Sequence, residues 1–349
     1  MRKWNFCAGP AAIPEEVLKE AQNELLEWNL SGSSVMEVSH RSDLFAEVAT
    51  SSKKDIKALL NIGDDHEVLF LQGGATLQFT SIPLNFTKNS SIVSYLNTGL
   101  WSKKAIKAAS KYASVNVVAS SEESNFTFVP NTQEWRVDPD SIYFHYVMNE
   151  TIQGLAIRDP ISSEIPVICD MSSCILSEEV NFNNLDLVYA GAQKNIGPAG
   201  LTLVIIKKDF LEKANEDIPD ILSYKKNSQA GSMLNTPPTF AWYLAGKVFK
   251  WLLKKGGVKG IQKENEKKAK FLYDFIDSSS FYSNPVEKEH RSIMNVPFLL
   301  NDKNADSSFL EKSEMNGLLN LKGHRSVGGM RASIYNATPF EAVEDLVSF

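Results

Sequence analysis

Hydrophobic and polar positions along this chain follow two periods, one typical of amphipathic helices and one typical of buried strands. After Pro14, apolar residues recur at helical spacing at Val17, Leu18, Ala21, Leu25 and Trp28. A second helical pattern covers about residues 43–60. Beyond them, short apolar runs alternate with helical segments. These runs predict strands at residues 67–71, 92–96, 115–119, 143–147, 167–169, 185–189 and 201–206.

This alternation predicts an α/β fold in which a mostly parallel sheet of about seven strands is flanked by helices. Around Phe240 the pattern changes to long helices that continue to about residue 276. Further strands are predicted at residues 294–299 and 332–334. We interpret residues 15–262 as a large cofactor-binding domain, and residues 1–14 together with 263–349 as a smaller α+β domain.

Composition narrows the class of protein. Of 349 residues, 43% are hydrophobic and 22% are charged, as in an ordinary soluble globular protein, and the net charge of −6 argues against a nucleic-acid partner. Three cysteines form no disulfide framework, which favours a reducing cytosol, and no second Cys/His cluster completes a metal site. The chain shows neither a signal-peptide pattern nor an apolar run long enough to cross a membrane.

One lysine and one aspartate carry the most specific chemistry. Lys194 follows the predicted strand at residues 185–189, and Asp170 ends the apolar run of residues 165–169. A lysine amine buried near a strand end can lose its proton and attack a carbonyl. A pyridoxal phosphate enzyme needs such a pair, because the lysine binds the cofactor aldehyde and the carboxylate keeps the pyridine nitrogen protonated. Taken alone, Lys194 is more typical of a solvated loop.

Other segments after predicted strands have two interpretations each. The Gly-rich run 72–76 could hold a phosphate at a helix start, or it could be a tight turn. Trp101 could stack on a flat cofactor or pack in the core, and Thr151 could bond a cofactor oxygen or cap a turn. The polar turn 235–239 could contact a phosphate in a neighbouring site or start a helix. Ligands of open sheets bind at the carboxyl ends of strands, so Gly74, Asp170 and Lys194, which all fall just after predicted strands, could share one site.

Two His-Arg pairs far apart in the sequence suggest an anion site. His40 and Arg41 form the first pair, His324 and Arg325 form the second, and Arg331 follows closely. Arginine makes bidentate contacts with carboxylates and phosphates. A single pair of this kind usually lies on the surface, whereas the whole set could bind a doubly anionic substrate.

Taken together, the segments resemble the phosphoserine aminotransferases, a family of class V aminotransferases among the fold-type I pyridoxal phosphate enzymes. The co-occurrence of these segments is far more specific than any one of them, and they extend over nearly the whole chain. The matching runs are Ala8–Pro10, Ser34–Arg41, Asn149–Ile152, Tyr189–Leu201, Asn235–Trp242 and Gly323–Asn336.

The resemblance implies a reaction and a cofactor. The reaction is transfer of the amino group of glutamate to 3-phosphohydroxypyruvate in serine biosynthesis, with pyridoxal 5′-phosphate as cofactor. A second substrate, 4-phosphooxy-hydroxy-threonine in vitamin B6 synthesis, is compatible with the same residues, because it also carries a phosphate and an α-carboxylate. Another class V aminotransferase activity is the alternative.

The resemblance also implies roles for individual residues. Lys194 would hold the cofactor covalently, Asp170 would pair with the pyridine nitrogen, Trp101 would stack on the ring, and Thr151 would bond its phenolic oxygen. The cofactor phosphate would be held by Ala75, Thr76 and Gln193, with Asn235 and Thr236 reaching it from a partner subunit. Such sharing implies a homodimer with two shared active sites.

For the substrate, the resemblance implies two groups of contacts. Arg331 would bind the α-carboxylate. The substrate phosphate, or the distal carboxylate of glutamate, would be bound by His40, Arg41, His324 and Arg325.

Three rival functions predict other features. A cysteine desulfurase shares the cofactor fold but needs a cysteine in a later loop, and no cysteine follows Cys174. A nucleotide-dependent dehydrogenase would carry a glycine fingerprint that this sequence lacks. A non-enzymatic regulator that binds the cofactor or a phosphate stays open, and it predicts no change in the cofactor's yellow absorbance when glutamate is added.

Overall fold

The computed structural model describes residues 2–158 and 161–349. No helix in these ranges combines the length and apolar character needed to cross a membrane. The helices are α1 Glu15–Asn23, α2 Asp43–Leu60, α3 Gly74–Phe86, α4 Leu100–Ala109, α5 Lys208–Leu211, α6 Tyr224–Gln229, α7 Thr239–Lys254, α8 Gly257–Ser278, α9 Asp306–Met315 and α10 Phe340–Ser348.

The strands fall into one large sheet and three small ones. In chain order they are β1 Trp4–Asn5, β2 His66–Leu71, β3 Ile92–Asn97, β4 Ser114–Ser120, β5 Ser141–Val147, β6 Asn149–Glu150, β7 Leu155–Ala156, β8 Val167–Asp170, β9 Leu187–Gly191, β10 Thr202–Lys207, β11 Tyr282–Ser283, β12 Asn295–Leu300, β13 Leu318–Leu319 and β14 Met330–Ser333.

The large sheet has seven strands in the order β2-β10-β9-β8-β5-β3-β4. Strand β10 is antiparallel to both of its neighbours, while the pairings among β9, β8, β5, β3 and β4 are parallel. The predicted α/β fold with a mostly parallel sheet is therefore confirmed. The antiparallel β10 was not predicted, and it arises because only the short segment 192–201 joins it to β9. A parallel neighbour would require a longer crossover.

The centre of the large sheet is buried on both faces, because central strands such as β9 and β10 are apolar at most positions. In β10, Leu203 and Ile205 pack into one hydrophobic cluster, and Val204 and Ile206 pack into another on the opposite face. The first cluster includes residues of α1, α2, α7 and α8, and the second includes residues of α3 to α6. Successive side chains of a strand point to opposite faces, so continuous apolar runs are typical of a sheet between two helical layers.

A third hydrophobic cluster lies apart from the large sheet. It joins Phe6 to Leu272 of α8, Val296 of β12 and Leu346 of α10. The N-terminal arm thus packs with the C-terminal segments, while α8 runs unbroken across residue 262. The division at residues 14 and 262 stays a prediction, and residues 1, 159 and 160 of those ranges lie outside the described residues.

One helix is shorter than predicted, and the boundary between two others was not predicted. Helix α1 ends at Asn23, and Trp28, which continued the helical spacing, instead packs edge-on against Tyr243 with ring centroids 6.0 Å apart. The long helical region after Phe240 is divided at Gly256, whose φ of +88° is a left-handed conformation that favours glycine. Hydrophobic spacing alone therefore located the helical regions but not where they end.

Lys268 provides a test of how α8 is joined to the segment that follows β14. The residue is 2% exposed, and its Nζ donates to three backbone carbonyls, those of Ile334, Tyr335 and Thr338, at 2.8–3.1 Å. We expect Lys268→Met to lower the free energy of unfolding by about 2–4 kcal/mol, because three buried carbonyls lose their donor. Denaturant unfolding followed by circular dichroism would measure the loss.

The matched control for this change is Lys270→Met, two residues further along the same helix. Lys270 is exposed and forms only an i,i+4 pair with Asp274. We expect this variant to change the free energy of unfolding by no more than about 0.5 kcal/mol. Equal effects of the two substitutions would contradict a structural role for the carbonyl contacts of Lys268.

Candidate active site

A cavity of about 390 Å³ lies where loops after several strands of the large sheet meet. The loops that follow β2, β3, β5, β8 and β9 all contribute to its lining. The carboxyl ends of parallel strands share one edge, so residues distant in sequence converge there. The predicted site residues in the lining are Ala75, Thr76, Trp101, Thr151, Asp170, Gln193 and Lys194.

Lys194 is the buried amine of this cavity. Its side chain is 9% exposed, and Nζ donates to Thr151 Oγ1 at 2.7 Å and lies 5.7 Å from the centroid of the Trp101 ring. Burial lowers the pKa of Lys194 to about 8, although the negative charge of Asp170 acts in the opposite direction. The amine can therefore exist in its nucleophilic, uncharged form close to neutral pH.

Asp170 is a buried carboxyl group at the end of β8. Its Oδ1 accepts a hydrogen bond from the backbone N–H of Ser172 at 2.8 Å. Burial raises the pKa of Asp170, while the hydrogen bonds from Ser172 and the charge of Lys194 lower it. A cationic group placed against this carboxylate would offset the cost of burying its charge.

The start of α3 lines the cavity and leaves backbone N–H groups uncapped in the described residues. Gly73 precedes the helix with φ of +89°, and a Cβ there would lie 2.4 Å from Cδ2 of Leu77, so both conformation and space require glycine. Among the described residues, no side chain caps this helix start. The N–H groups of the first turn, where Ala75 and Thr76 line the cavity, are thus available to a phosphate.

Cations gather beside the cavity. Nη1 of Arg331 donates to the backbone carbonyl of Thr151 at 3.4 Å, and its Nε is buried without a partner among residues 2–158 and 161–349. The pKa of His324 is lowered by burial and by the positive charges of Arg331, Lys104 and Arg325. Sequence reasoning missed Lys104, although it lies three residues after Trp101 on α4 and its Nζ is 4.1 Å from that ring's centroid.

Seven predicted site residues are not in the cavity lining of this single chain, as far as the described residues show: His40, Arg41, Asn235, Thr236, His324, Arg325 and Arg331. Asn235 and Thr236 are exposed and lie beside the end of β2, where Gln72 Nε2 donates to Asn235 Oδ1 at 3.4 Å and to the carbonyl of Thr236 at 3.2 Å. His40 and Arg41 precede α2. Their roles stay predictions.

The segment around Thr151 contributes more than the sequence indicated. Asn149 Nδ2 donates to Ser173 Oγ at 2.7 Å and to Asn295 Oδ1 at 2.8 Å, which ties the segment to the loop after Asp170 and to β12. Glu150 is fully buried and accepts two backbone hydrogen bonds from α4. Nothing in the sequence distinguished these side chains from ordinary turn residues.

Comparisons with known proteins agree with this geometry. The family described as aminotransferase class-V matches residues 3–346. Phosphoserine aminotransferase of Hahella chejuensis is 53% identical over 349 residues, covering 100% of this chain and 97% of the relative. The Pseudomonas aeruginosa protein of the same name is 51% identical, with the same coverage.

Solved structures of phosphoserine aminotransferases superpose closely on this chain. Phosphoserine aminotransferase from Bacillus circulans subsp. alkalophilus superposes with a TM-score of 0.97 at 44% identity, covering 99% of this chain and 97% of that one. A phosphoserine aminotransferase from Trichomonas vaginalis with bound PLP superposes with a TM-score of 0.96 at 42% identity, covering 99% of both chains.

Proposed function

The chain belongs to the class V aminotransferase family and, within it, to the phosphoserine aminotransferases; from this premise we propose that it transfers the amino group of glutamate to 3-phosphohydroxypyruvate in serine biosynthesis, with pyridoxal 5′-phosphate as cofactor. The observation that carries the proposal is the buried amine of Lys194, hydrogen-bonded to Thr151 and close to Asp170. Serine biosynthesis needs such an amino transfer.

The donor set of the cavity fits pyridoxal phosphate. Lys194 supplies an amine with a lowered pKa for the covalent link, and Asp170 supplies a buried carboxylate for the pyridine nitrogen. Trp101 offers a ring face, and Thr151 offers a hydroxyl beside the lysine. The uncapped start of α3 would hold the phosphate through Ala75 and Thr76, together with Gln193.

When bound, pyridoxal phosphate supplies an aldehyde that takes up the amino group and an electron-withdrawing ring that stabilises negative charge at the substrate Cα. Asp170 keeps a proton on the ring nitrogen, because its own buried charge needs a cationic partner. Lys194 accepts a proton at Nζ and returns it within the site, since burial brings its pKa near neutrality. Thr151 orients this amine.

The cations beside the cavity would select a dianionic substrate. We assign the α-carboxylate to Arg331, whose guanidinium is partly buried and lies against the Thr151 carbonyl. We assign the substrate phosphate, or the distal carboxylate of glutamate, to His324 and Arg325 together with His40 and Arg41. For His324 and Arg325, this assignment is supported by the lowered pKa of His324, because burial and the nearby positive charges of Arg331, Lys104 and Arg325 all contribute to the lowering.

We propose that the enzyme is a homodimer with two shared sites. Asn235 and Thr236 are exposed in the single chain and lie beside Gln72, at the same sheet edge as the cavity. A second copy placed with two-fold symmetry would bring these residues to the opposite cavity. His40 and Arg41 would reach a shared site by the same route, which accounts for their distance from the lining in one chain.

A cytosolic location is part of the proposal. All three cysteines are free thiols, and two of them, Cys169 and Cys174, are buried in the core of the large sheet. Unpaired thiols are typical of proteins that work in a reducing compartment.

Titration of the holoenzyme with amino donors tests the proposal. Glutamate and phosphoserine should both deplete the cofactor's yellow absorbance, and phosphoserine should do so at concentrations about 100-fold below those of serine, because only it engages the phosphate-binding cations. Unphosphorylated serine is the matched control, since it differs only in the phosphate. Equal responses to serine and phosphoserine would exclude the phosphate site, and no response to glutamate would exclude the aminotransferase activity.

A further inference from the structure

Helix α4 carries Trp101 but begins after a residue that cannot cap it. Gly99 lies at the N-cap position and has no side chain to accept a hydrogen bond from the first turn. The first N–H groups of a helix need acceptors from outside the helix, and a buried helix start is costly without them. The acceptors for Leu100, Trp101 and Ser102 must therefore come from elsewhere in the fold.

They come from the site hairpin, defined here as residues 149–156, which comprise β6, β7 and the turn between them. Glu150 Oε1 accepts from the N–H of Ser102 at 2.7 Å, and Oε2 accepts from the N–H of Trp101 at 3.0 Å. Gln153 Oε1 accepts from the N–H of Leu100 at 3.3 Å. A carboxylate at this position also interacts favourably with the positive end of the helix dipole.

The same hairpin contacts the reactive lysine. Thr151, the neighbour of Glu150, accepts the hydrogen bond from Lys194 through its hydroxyl and the one from Arg331 through its carbonyl. Asn149, on the other side of Glu150, is bonded to Ser173 near Asp170. Glu150 and Thr151, which are adjacent in the chain, therefore link the residue that carries the Trp101 ring to the amine of Lys194.

Gly99 shows how closely Glu150 approaches the helix start. Its φ of 175° is extended backbone that any residue can adopt. A Cβ at this position, however, would lie 2.2 Å from Glu150 Cδ and 2.5 Å from both Cγ and Oε2. Glycine is thus required here by the carboxylate and not by the backbone conformation.

We propose that Glu150, assisted by Gln153, is a positioning residue that holds the start of α4 so that the Trp101 ring and the Lys194 amine keep a fixed mutual orientation. The inference rests on the proposed function only in assigning the Trp101 ring to the cofactor. Glu150 itself does not line the cavity in the described residues. Glu150 acts on the reaction through the positions of Trp101 and Thr151, and its negative charge also opposes the lowering of the Lys194 pKa.

Hydrogen exchange of the full-length enzyme, with and without its cofactor, tests the capping directly. Glu150→Ala should raise the exchange rates of the amides of Leu100, Trp101 and Ser102 by at least about tenfold, and Glu150→Gln should raise them less, because one acceptor oxygen remains. Measurements at pH 8.5 keep the carboxylate ionised, since burial raises the pKa of Glu150 to about 7. Both variants should weaken cofactor binding by roughly tenfold and lower kcat more than they raise KM.

Glu178→Gln is the matched control, because Glu178 is a largely buried carboxylate paired with Arg158, away from α4. It should leave exchange at residues 100–102 and cofactor affinity unchanged. An equal rise in exchange throughout the protein in Glu150→Ala, or no rise at residues 100–102, would overturn the proposal. So would normal cofactor affinity in both Glu150 variants. If the proposed function were wrong, the wild type would instead show no yellow absorbance from bound pyridoxal phosphate.

A double-mutant cycle tests the same contact from the other side. Gly99→Ala should weaken cofactor binding at least as much as Glu150→Gln, because the added methyl group displaces the carboxylate. In a Glu150→Ala background, Gly99→Ala should add little further loss, since the atoms it would meet are gone. Additive losses in the double variant would overturn the assignment of Gly99 and Glu150 to one contact.

Discussion

Replacement of Lys194 by alanine should lower kcat for amino transfer by at least about 10³-fold, because the variant loses both the covalent attachment of the cofactor and the group that moves the proton. The loss should persist at saturating cofactor, since binding through Asp170 and the start of α3 cannot supply a base. A coupled assay of 2-oxoglutarate release from glutamate would measure it. A variant within tenfold of the wild-type kcat would contradict the role assigned to Lys194.

Lys207→Ala is the matched control, because Lys207 also lies at the end of a strand but pairs with Asp186 outside the cavity. We expect its kcat to stay within about twofold of the wild type.

A second readout of the role of Lys194 does not depend on turnover. The rate at which cofactor-free wild-type protein captures pyridoxal phosphate should rise with pH through about pH 8, because the uncharged amine of Lys194 becomes the main form above its lowered pKa.

Replacement of Asp170 by asparagine should affect activity and stability in opposite directions. We expect kcat to fall by about 10²–10³-fold, because an amide cannot hold a proton on the pyridine nitrogen. In the cofactor-free protein, the free energy of unfolding should stay the same or increase. The raised pKa means that the fold disfavours the charged carboxylate, and asparagine keeps an oxygen to accept the Ser172 N–H.

The size of the stability effect depends on pH. A carboxyl whose pKa is raised by folding destabilises the fold above its unfolded pKa, where the unfolded chain carries the charge more easily, and this cost disappears as the pH falls. The gain in stability from Asp170→Asn should therefore be present at pH 7 and vanish at low pH. Asp140→Asn, at an exposed position before β5, is the control and should change neither kcat nor the free energy of unfolding. Equal losses of stability and activity in Asp170→Asn would argue for a purely structural carboxylate.

Much of the site could be predicted from local sequence because of a general property of parallel sheets. Lys194, Asp170 and the Gly73–Gly74 turn each follow a predicted strand, and strands that run the same way end at the same edge. Three weak local signals therefore supported one another before any contact was known. The same reasoning located Thr151 after β5 and Trp101 after β3.

The sequence indicated that α4 needs an external cap, but it did not indicate which residue provides it. A helix that starts after Gly99 lacks the usual Ser, Thr, Asp or Asn at its N-cap, so an acceptor from elsewhere was required. The acceptor, Glu150, is 49 residues away from Trp101, and no periodicity relates the two positions. Lys104 was missed for a similar reason. A lysine on an exposed helix face is common, and only the structure shows that its Nζ lies against the Trp101 ring.

The sequence by itself determined the α/β class, the strand ends that carry the chemistry, and the Lys194 and Asp170 pair, because these follow from spacing along the chain and from the directionality of strands. Only the tertiary structure decided that β10 runs antiparallel, that Glu150 caps the Trp101 helix, and that Arg331 faces Thr151. These features join segments whose separation in sequence carries no spatial information. Their hydrogen bonds depend on how helices and strands pack in three dimensions, which local patterns do not encode.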